Sequence, residues 1–459
     1  MANILISYYK IQEIKIGKTL CIWEGLSKKL KETGNNVLLI NSAFCNKYRS
    51  NIPANKNVAQ YILNKTIDFK PDFIIAFNNR IPKNILEYFS EIPIIMWDGD
   101  DPSYICDPDY IKQNMHKYQI FTIVKDWYSY YLEMGIPKDK IHFVPVATAV
   151  EANKQVEQKY NISFCGSIPY YDQNFKKIIS DENFSNTLRK NIIDFLIKPN
   201  YHYKESFDKL CPQNNFNVQA LYPAYDYRWL TLGNMLDLGL VMADSIKRWN
   251  DGLNYFPQLV AMLLKDYVWN LDDNNMFYNS SKVSLSIHHP QALGCGFSWR
   301  CFDVMASNAC LLTTTSTDLK VLFKGKVDIP MFDTPYQARE QAIKLLNDEC
   351  YRNDIVLASQ EFVEQECRWE SRFKTIQDIL NISIFNPQTN SHVFLNTMTE
   401  LLELCNISQL ESTKNKKNTK NTIIKKAEFP SVDKKQLNLK NKILYKCSRY
   451  LYQKIKTNI

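Results

Sequence analysis

The stretch from Ser281 to Phe323, SKVSLSIHHPQALGCGFSWRCFDVMASNACLLTTTSTDLKVLF, constrains the fold of this chain more than any other. It begins with an apolar run, Val283–Ile287, short enough to be a buried strand. A turn containing Pro290, Gly294 and Gly296 follows. Ser298 is placed to cap a helix, and Trp299–Ser307 has the pattern of one. A second apolar strand, Cys310–Thr313, comes directly after. Strand, glycine-containing loop, helix and strand make a βαβ unit, and such units bind ligands beyond the carboxyl ends of their strands.

The start of that helix carries the chemistry. Its first amides lack intrahelical partners and sit at the positive end of the helix dipole. The glycines allow a ligand close to the backbone. Arg300 lies in the first turn, and a guanidinium pairs well with phosphate. Asp303, three residues on, shares a helix face with it. A cation beside a diphosphate and a carboxylate beside ribose hydroxyls would together hold a nucleoside diphosphate. The competing expectation is a local Arg300–Asp303 ion pair on a packed helix.

Residues 1–150 alternate strand and helix. Strands are expected at Ile4–Ser7, Val37–Ile40, Phe73–Phe77, Ile94–Trp97, Ile120–Val124 and Ile141–Val144, with amphipathic helices between them. This alternation predicts α/β architecture with a parallel, doubly wound sheet. After the first strand the chain reads SYYKIQEIKIG, without the G-x-G-x-x-G of a dinucleotide-binding crossover. A polar linker is expected at 151–160. A second domain over 161–384 opens with a strand ending at Gly166 and Ser167. Residues 174–265 read as a mostly helical insertion whose dense aromatic residues are either core or an acceptor surface. Arg352–Leu380 reads as one long helix, and His392–Cys405, within a closing segment 385–411, as another.

At the carboxyl end of the fourth strand, MWDGDDPSY places Asp98, Asp100 and Asp101 together. An Asp-x-Asp there suits a divalent metal with a diphosphate; a solvated, helix-capping turn is the alternative. One of these aspartates is also the candidate general base for deprotonating an acceptor hydroxyl.

Composition excludes several classes. The chain has 459 residues, enough for two or three domains, and no apolar run long enough to span a membrane. Its 12 cysteines are scattered without C-x-x-C or zinc spacing, as suits a reducing compartment. A strand is expected from Asn3 onward, so no export signal is expected. The expected location is the cytoplasm, peripheral to the inner face of the cell membrane. Residues 412–459 carry 14 Lys+Arg and 2 Asp+Glu, a balance of +12, against 56 and 48 in the whole chain. The remainder is therefore −4 (42 minus 46), so nucleic acid is not an expected partner of the body. Lys, Asn and Thr dominate from Ser412 to Lys426, as in a disordered linker. Beyond it, Ile443, Leu444, Cys447, Tyr450, Leu451 and Ile455 share one broad helical face ringed by lysines. That pattern suits an anionic membrane surface, with a partner-binding helix or a solubility tail as alternatives.

SIHHPQALGCGFSWRCFDVMASNACLLT, followed by DLKVLF, resembles the donor-site signature of CgeB-like glycosyltransferases, a branch of the GT-B enzymes. That signature runs through an "NIHRP"-like turn, a glycine-rich loop, R-x-F-E, a small-residue helix, an "LLT" strand and "DL..LF". Asp303 stands where the family has Glu, Ser307-Asn308 replaces a Cys-Gly-like pair, and Cys295 falls where many retaining GT-B enzymes have the first Glu of E-x7-E. Pro93, Trp97, Asp100 or Asp101, and Pro102 match a "P-x-x-x-W-x-x-D-x-P" segment of the same enzymes. His142 with VPVATAV resembles their interdomain hinge, and Arg372 matches the arginine of their closing helix, with Trp369 in place of His.

The resemblance implies two Rossmann-like domains facing a cleft, the first taking the acceptor and the second the donor. It implies transfer of a sugar, of hexosyltransferase type, from a nucleoside-diphosphate sugar to a hydroxyl of a cell-surface glycan, lipid-linked glycan or protein. Donor contacts would come from Gly166, Ser167, His288, His289, Gly296, Phe297, Ser298, Arg300 and Asp303. Catalysis would fall to Arg300 with Asp100 or Asp101. No cofactor is required if protein cations neutralise the diphosphate. A metal-dependent transferase using Asp98 and Asp100, and a non-catalytic sugar-nucleotide scaffold at a membrane, are the rival expectations.

Overall fold

The computed structural model of the chain describes residues 1–45, 55–100, 102–166, 227–244, 257–264, 268–288, 295–386 and 392–405. Its strands form two sheets. The first has seven strands: β1 Asn3–Tyr8, β2 Asn36–Asn41, β3 Phe73–Phe77, β4 Ile94–Trp97, β5 Tyr118–Thr122, β6 Ile141–Phe143 and β12 Phe394–Asn396. The second has five: β7 Tyr160–Cys165, β8 Leu240–Ala243, β9 Ser281–Ser286, β10 Cys310–Thr314 and β11 Met331–Phe332. Their orders are β12-β2-β1-β3-β4-β5-β6 and β11-β10-β9-β7-β8. Every pairing is parallel. With their crossover helices these are two Rossmann-like α/β units, the first as the alternating pattern of residues 1–150 predicts and the second as the resemblance implies.

The units divide at Val150–Glu151. The first gathers the described residues of 1–150, 269–272 and 363–405; the second gathers the rest of 151–362. The Trp369–Leu380 segment, expected in the second domain, therefore belongs to the first.

Both sheets need their apolar runs because parallel strands covered by helices are buried on both faces. All five residues of β3 are buried. In the first unit an aromatic series crosses the sheet face: Tyr8 stacks on Trp23 at 4.7 Å, Phe77 on Trp97 at 5.7 Å, and Trp369 meets Trp97 edge-on at 5.9 Å. Trp97 Nε1 donates to the Val144 carbonyl at 2.9 Å, so the indole is buried without an unmet donor.

Four local expectations are corrected. The mostly helical reading of 174–265 fails among its described residues: a helix covers 227–233, and β8 then pairs with β7. Gly239, at φ 81°, ends the intervening turn and turns the short apolar run LVMA into the sheet. Arg352–Leu380 is broken. The Glu349–Phe362 helix runs into a π-helical turn, Val363–Cys367, and Arg368 is extended before Trp369–Leu380 resumes. Arg368 there donates to the Val150 carbonyl and pairs with Glu364. His392–Cys405 begins as a strand, because the peptide edge of β2 captures it: Val37 N–H donates to Val393 O at 2.8 Å. Helix follows only at 398–405. Trp299–Ser307 is helical only over Arg300–Met305. Among the described residues no helix is long and apolar enough to cross a membrane.

Candidate functional site

In each sheet the strand order reverses direction beside the first strand. In the second sheet this happens between β7 and β9, since β8 lies on one side of β7 and β9 on the other. The crevice at the carboxyl ends of two such strands is where an α/β sheet takes a ligand. Here those ends are Cys165–Gly166 and Ile287–His288, with the Arg300–Met305 helix crossing from β9 to β10.

Arg300 is partly exposed at the start of that helix. Burial opposes its charge, but the Tyr278 phenol, the Cys165 thiol and the Asp303 carboxylate more than offset this, and its pKa is raised. It stays cationic at any physiological pH. Asp303 is 4% exposed, inside the unit rather than on an open helix face.

A second guanidinium, not among the residues expected from the sequence, lies at the exit of β9. Arg228, on the 227–233 helix, is 6% exposed and donates through Nη2 to the carbonyls of Ile287 (2.7 Å) and His288 (3.3 Å). Its guanidinium also lies 5.7 Å from the Phe164 ring centroid. Burial and then the charge of Arg300 pull its pKa down to about 9, with Asp244 acting in the opposite direction. Two arginines that feel each other's charge in a partly dry crevice favour an anion between or beside them. The one sequence signal for Arg228 is an arginine in an aromatic triplet, Tyr227-Arg228-Trp229, with no acid three or four positions away.

Several expected roles are corrected by the geometry. The first amides of the Arg300–Met305 helix are occupied: Arg300 N–H donates to Ser298 Oγ (3.3 Å), Cys301 N–H to Ser298 O (3.0 Å) and Phe302 N–H to Trp299 O (3.0 Å). Ser298 thus serves the helix start, and Trp299 is the cap residue. With six residues, the helix also has little dipole to offer. Phe297 is 5% exposed and packs edge-on against Phe302 at 5.3 Å, as core. Gly296 is buried beside it. Gly166 does not offer its amide to a ligand, because that N–H donates to Ala243 O at 3.3 Å. A Cβ at Gly166 would come within 2.9 Å of the Phe164 ring, so close packing explains the glycine.

His288 points inward. Its Nε2 is 2.9 Å from Thr313 Oγ1 and 3.8 Å from Cys301 Sγ, and its backbone N–H donates to Thr314 Oγ1 at 3.1 Å. Burial and then the Arg228 charge push its pKa down to about 3, so the ring is neutral. It ties β9, β10 and the crossover helix together rather than offering a cation to phosphate. Cys301 is likewise inert, its thiol pushed up to about 11 by burial. Ser167, His289 and Asp101 lie outside the described residues.

Asp98 and Asp100 belong to the first unit. Asp98 is fully buried: Oδ1 accepts from Ile123 N–H at 2.8 Å and Oδ2 from Tyr131 Oη–H at 2.9 Å. The Asp98–Asp100 metal pairing therefore loses its first ligand to the fold. Asp100 is exposed, and its Oδ2 accepts from Asn78 Nδ2 at 2.8 Å. Among the described residues no three His, Cys, Asp or Glu side chains gather as a metal site. His142 Nε2 lies 2.9 Å from Gln119 Oε1, and Arg372 donates to Pro145 O at 2.6 Å; both are structural contacts.

Residues 219–378 match a family described as glycosyl transferase-like. The match takes in Arg228, His288, Arg300 and Asp303. No curated protein matches the chain. Solved structures similar to it include a glycosyltransferase from Rickettsia africae ESF-5, 11% identical over 83% of this chain and 99% of that one, with a TM-score of 0.43. Anabaena HepE, solved in complex with UDP and glucose, is 8% identical over 83% of this chain and 100% of its own, with a TM-score of 0.44. Sucrose-phosphate synthase from Thermosynechococcus elongatus is 9% identical over 82% and 98%, with a TM-score of 0.46.

Proposed function

We propose that this chain is a GT-B glycosyltransferase, CgeB-like in its second unit, that transfers a sugar from a nucleoside-diphosphate sugar to a hydroxyl of a glycan, lipid-linked glycan or protein. The reading rests on Arg228, hydrogen-bonded to the β9 exit at the β7–β9 switch point, and on Arg300, whose charge acts on it, both within the segment that matches the glycosyl transferase-like family. The donor diphosphate binds there. Arg300 is the catalytic cation, stabilising the diphosphate as charge develops on the leaving group. Asp303 serves the nucleoside side, and Asp100 is the candidate base on the acceptor side. Cation stabilisation by protein groups makes a metal unnecessary in this reading.

Calorimetric titration with UDP, GDP, ADP and dTDP, and with the matching monophosphates, tests it. One of the diphosphates is expected to bind at least tenfold more tightly than its monophosphate. Arg300→Ala should weaken that diphosphate by about 10- to 100-fold, the worth of one to two charged hydrogen bonds. Unchanged affinity in Arg300→Ala removes the phosphate role. Transfer assays with and without EDTA separate this reading from a metal-dependent one, and binding without turnover would leave a scaffold. The basic tail, which lies outside the described residues, is the proposed anchor to anionic membrane. Deleting 412–459 should abolish sedimentation with phosphatidylserine vesicles, and retained binding would reject the anchor.

A further inference from the structure

The first unit buries a carboxylate that no part of the transfer reading uses. Glu13, in the short Ile11–Ile16 helix just beyond β1, is 0% exposed. Its Oε2 accepts from Tyr8 Oη–H at 2.6 Å and from Asn41 Nδ2 at 2.9 Å, and its Oε1 accepts from Leu20 N–H at 2.6 Å. Asn41 in turn clamps Lys10 from both sides, its Oδ1 accepting from Lys10 N–H and its Nδ2 donating to Lys10 O. One acid thus joins the end of β1, the end of β2 and both ends of the 9–20 crossover.

The groups facing the carboxylate are Tyr8 on β1, Lys10 before the helix, Asn41 at the end of β2, and the Leu20 amide. Thr19 also hydrogen-bonds the Tyr8 hydroxyl. This pair of hydroxyls lets the site accept a proton. When Glu13 is neutral, its O–H donates to Tyr8 Oη, and Tyr8 turns its own proton to Thr19. The ionised form must instead be held in a fully buried site, where Lys10 is the cation that acts on it among the described residues.

We propose that Glu13 is a proton-operated latch on the 9–20 crossover, which stays closed when Glu13 is neutral and opens more readily when it is ionised. The crossover lies at the carboxyl end of β1, beside the switch point of the first sheet, so its opening changes access to that edge. The proposal does not depend on what the second unit binds.

Burial, partly offset by Tyr8, Leu20, Asn41 and Lys10, pushes Glu13 up to about 7 from 4.5. Opening restores hydration and the ordinary value. Opening is therefore favoured about 140-fold more at pH 8 than at pH 4.5, with the change spread over that window. Hydrogen–deuterium exchange on the full chain, corrected for intrinsic exchange, should show this loss of protection in peptides covering 9–20. The change should be absent in Glu13→Gln. Carbon-13 NMR of the Glu13 carboxyl should give a midpoint near 7, moved upward in Tyr8→Phe because a hydrogen bond to the ionised form is lost. A pH-independent protection of 9–20 in the native chain, or a carboxyl midpoint below about 5.5, overturns the latch.

Discussion

Asp98→Asn separates a structural acid from a catalytic or metal-binding one, and its effect can be worked from the structure. The Asp98 carboxyl is fully buried, and burial raises it to about 7 from 3.8, against the opposing hydrogen bonds from Ile123, Thr122 and Tyr131. A raised folded-state pKa gives stability that is complete below the unfolded value and is lost as pH climbs through the folded one. Between pH 5 and pH 8 the native chain should lose about 2.5 kcal/mol from this group alone. Asparagine can still accept the Ile123 N–H, and Tyr131 can turn to accept from Nδ2, but it does not titrate. The difference in unfolding free energy between native chain and variant should therefore move by about 2.5 kcal/mol in favour of Asn across that range. Glu13 titrates equally in both proteins and cancels from the difference. Urea denaturation followed by fluorescence reads it out, since Trp97 lies next to Asp98 in the first unit. Parallel pH curves would show that the buried acid is not coupled to the fold as argued. Loss of transfer activity in a stable Asp98→Asn protein would return Asp98 to the chemistry.

Arg228→Met should keep unfolding free energy within about 2 kcal/mol of the native value, because a buried charge is exchanged for apolar volume, while diphosphate affinity in calorimetry falls at least tenfold; unchanged affinity would confine Arg228 to holding the β9 exit. His288 should show no imidazole titration in nitrogen-15 NMR between pH 5 and pH 9, and its depressed pKa contributes stability present above pH 6.5 and lost as pH falls toward about 3. A midpoint above pH 5 would mean that the ring is solvated. Gly166→Ala should cost about 1–3 kcal/mol in thermal or urea unfolding, since its Cβ meets the Phe164 ring at 2.9 Å in a filled core; a neutral result would show that the ring has room to move.

The class of fold was legible because it is written in local periodicity. Runs such as FIIAF and CLLTT are short, apolar and bounded by turns, and that is enough to predict buried parallel strands. Arg300 was legible too, as a guanidinium between a glycine-containing loop and a strand. Edges and burial were not. β12 forms because β2 offers it unpaired peptide groups, and nothing within His392–Cys405 announces that partner. Asp98 and His288 looked like ligands because polar residues at strand ends often are. Whether such a side chain turns outward or inward depends on what waits on the far side, here Ile123, Tyr131, Thr313 and Cys301. Arg228 carries no spacing signal, because its partners are backbone carbonyls of β9's exit, about 60 residues away, and carbonyls look alike in every sequence. The sequence by itself determined two parallel sheets and one cation at a strand's carboxyl end. Only tertiary packing decided which acids stay wet, which imidazole is neutral and that a second guanidinium is held at the β9 exit, because desolvation and pairing depend on distances between elements that the order of residues does not contain.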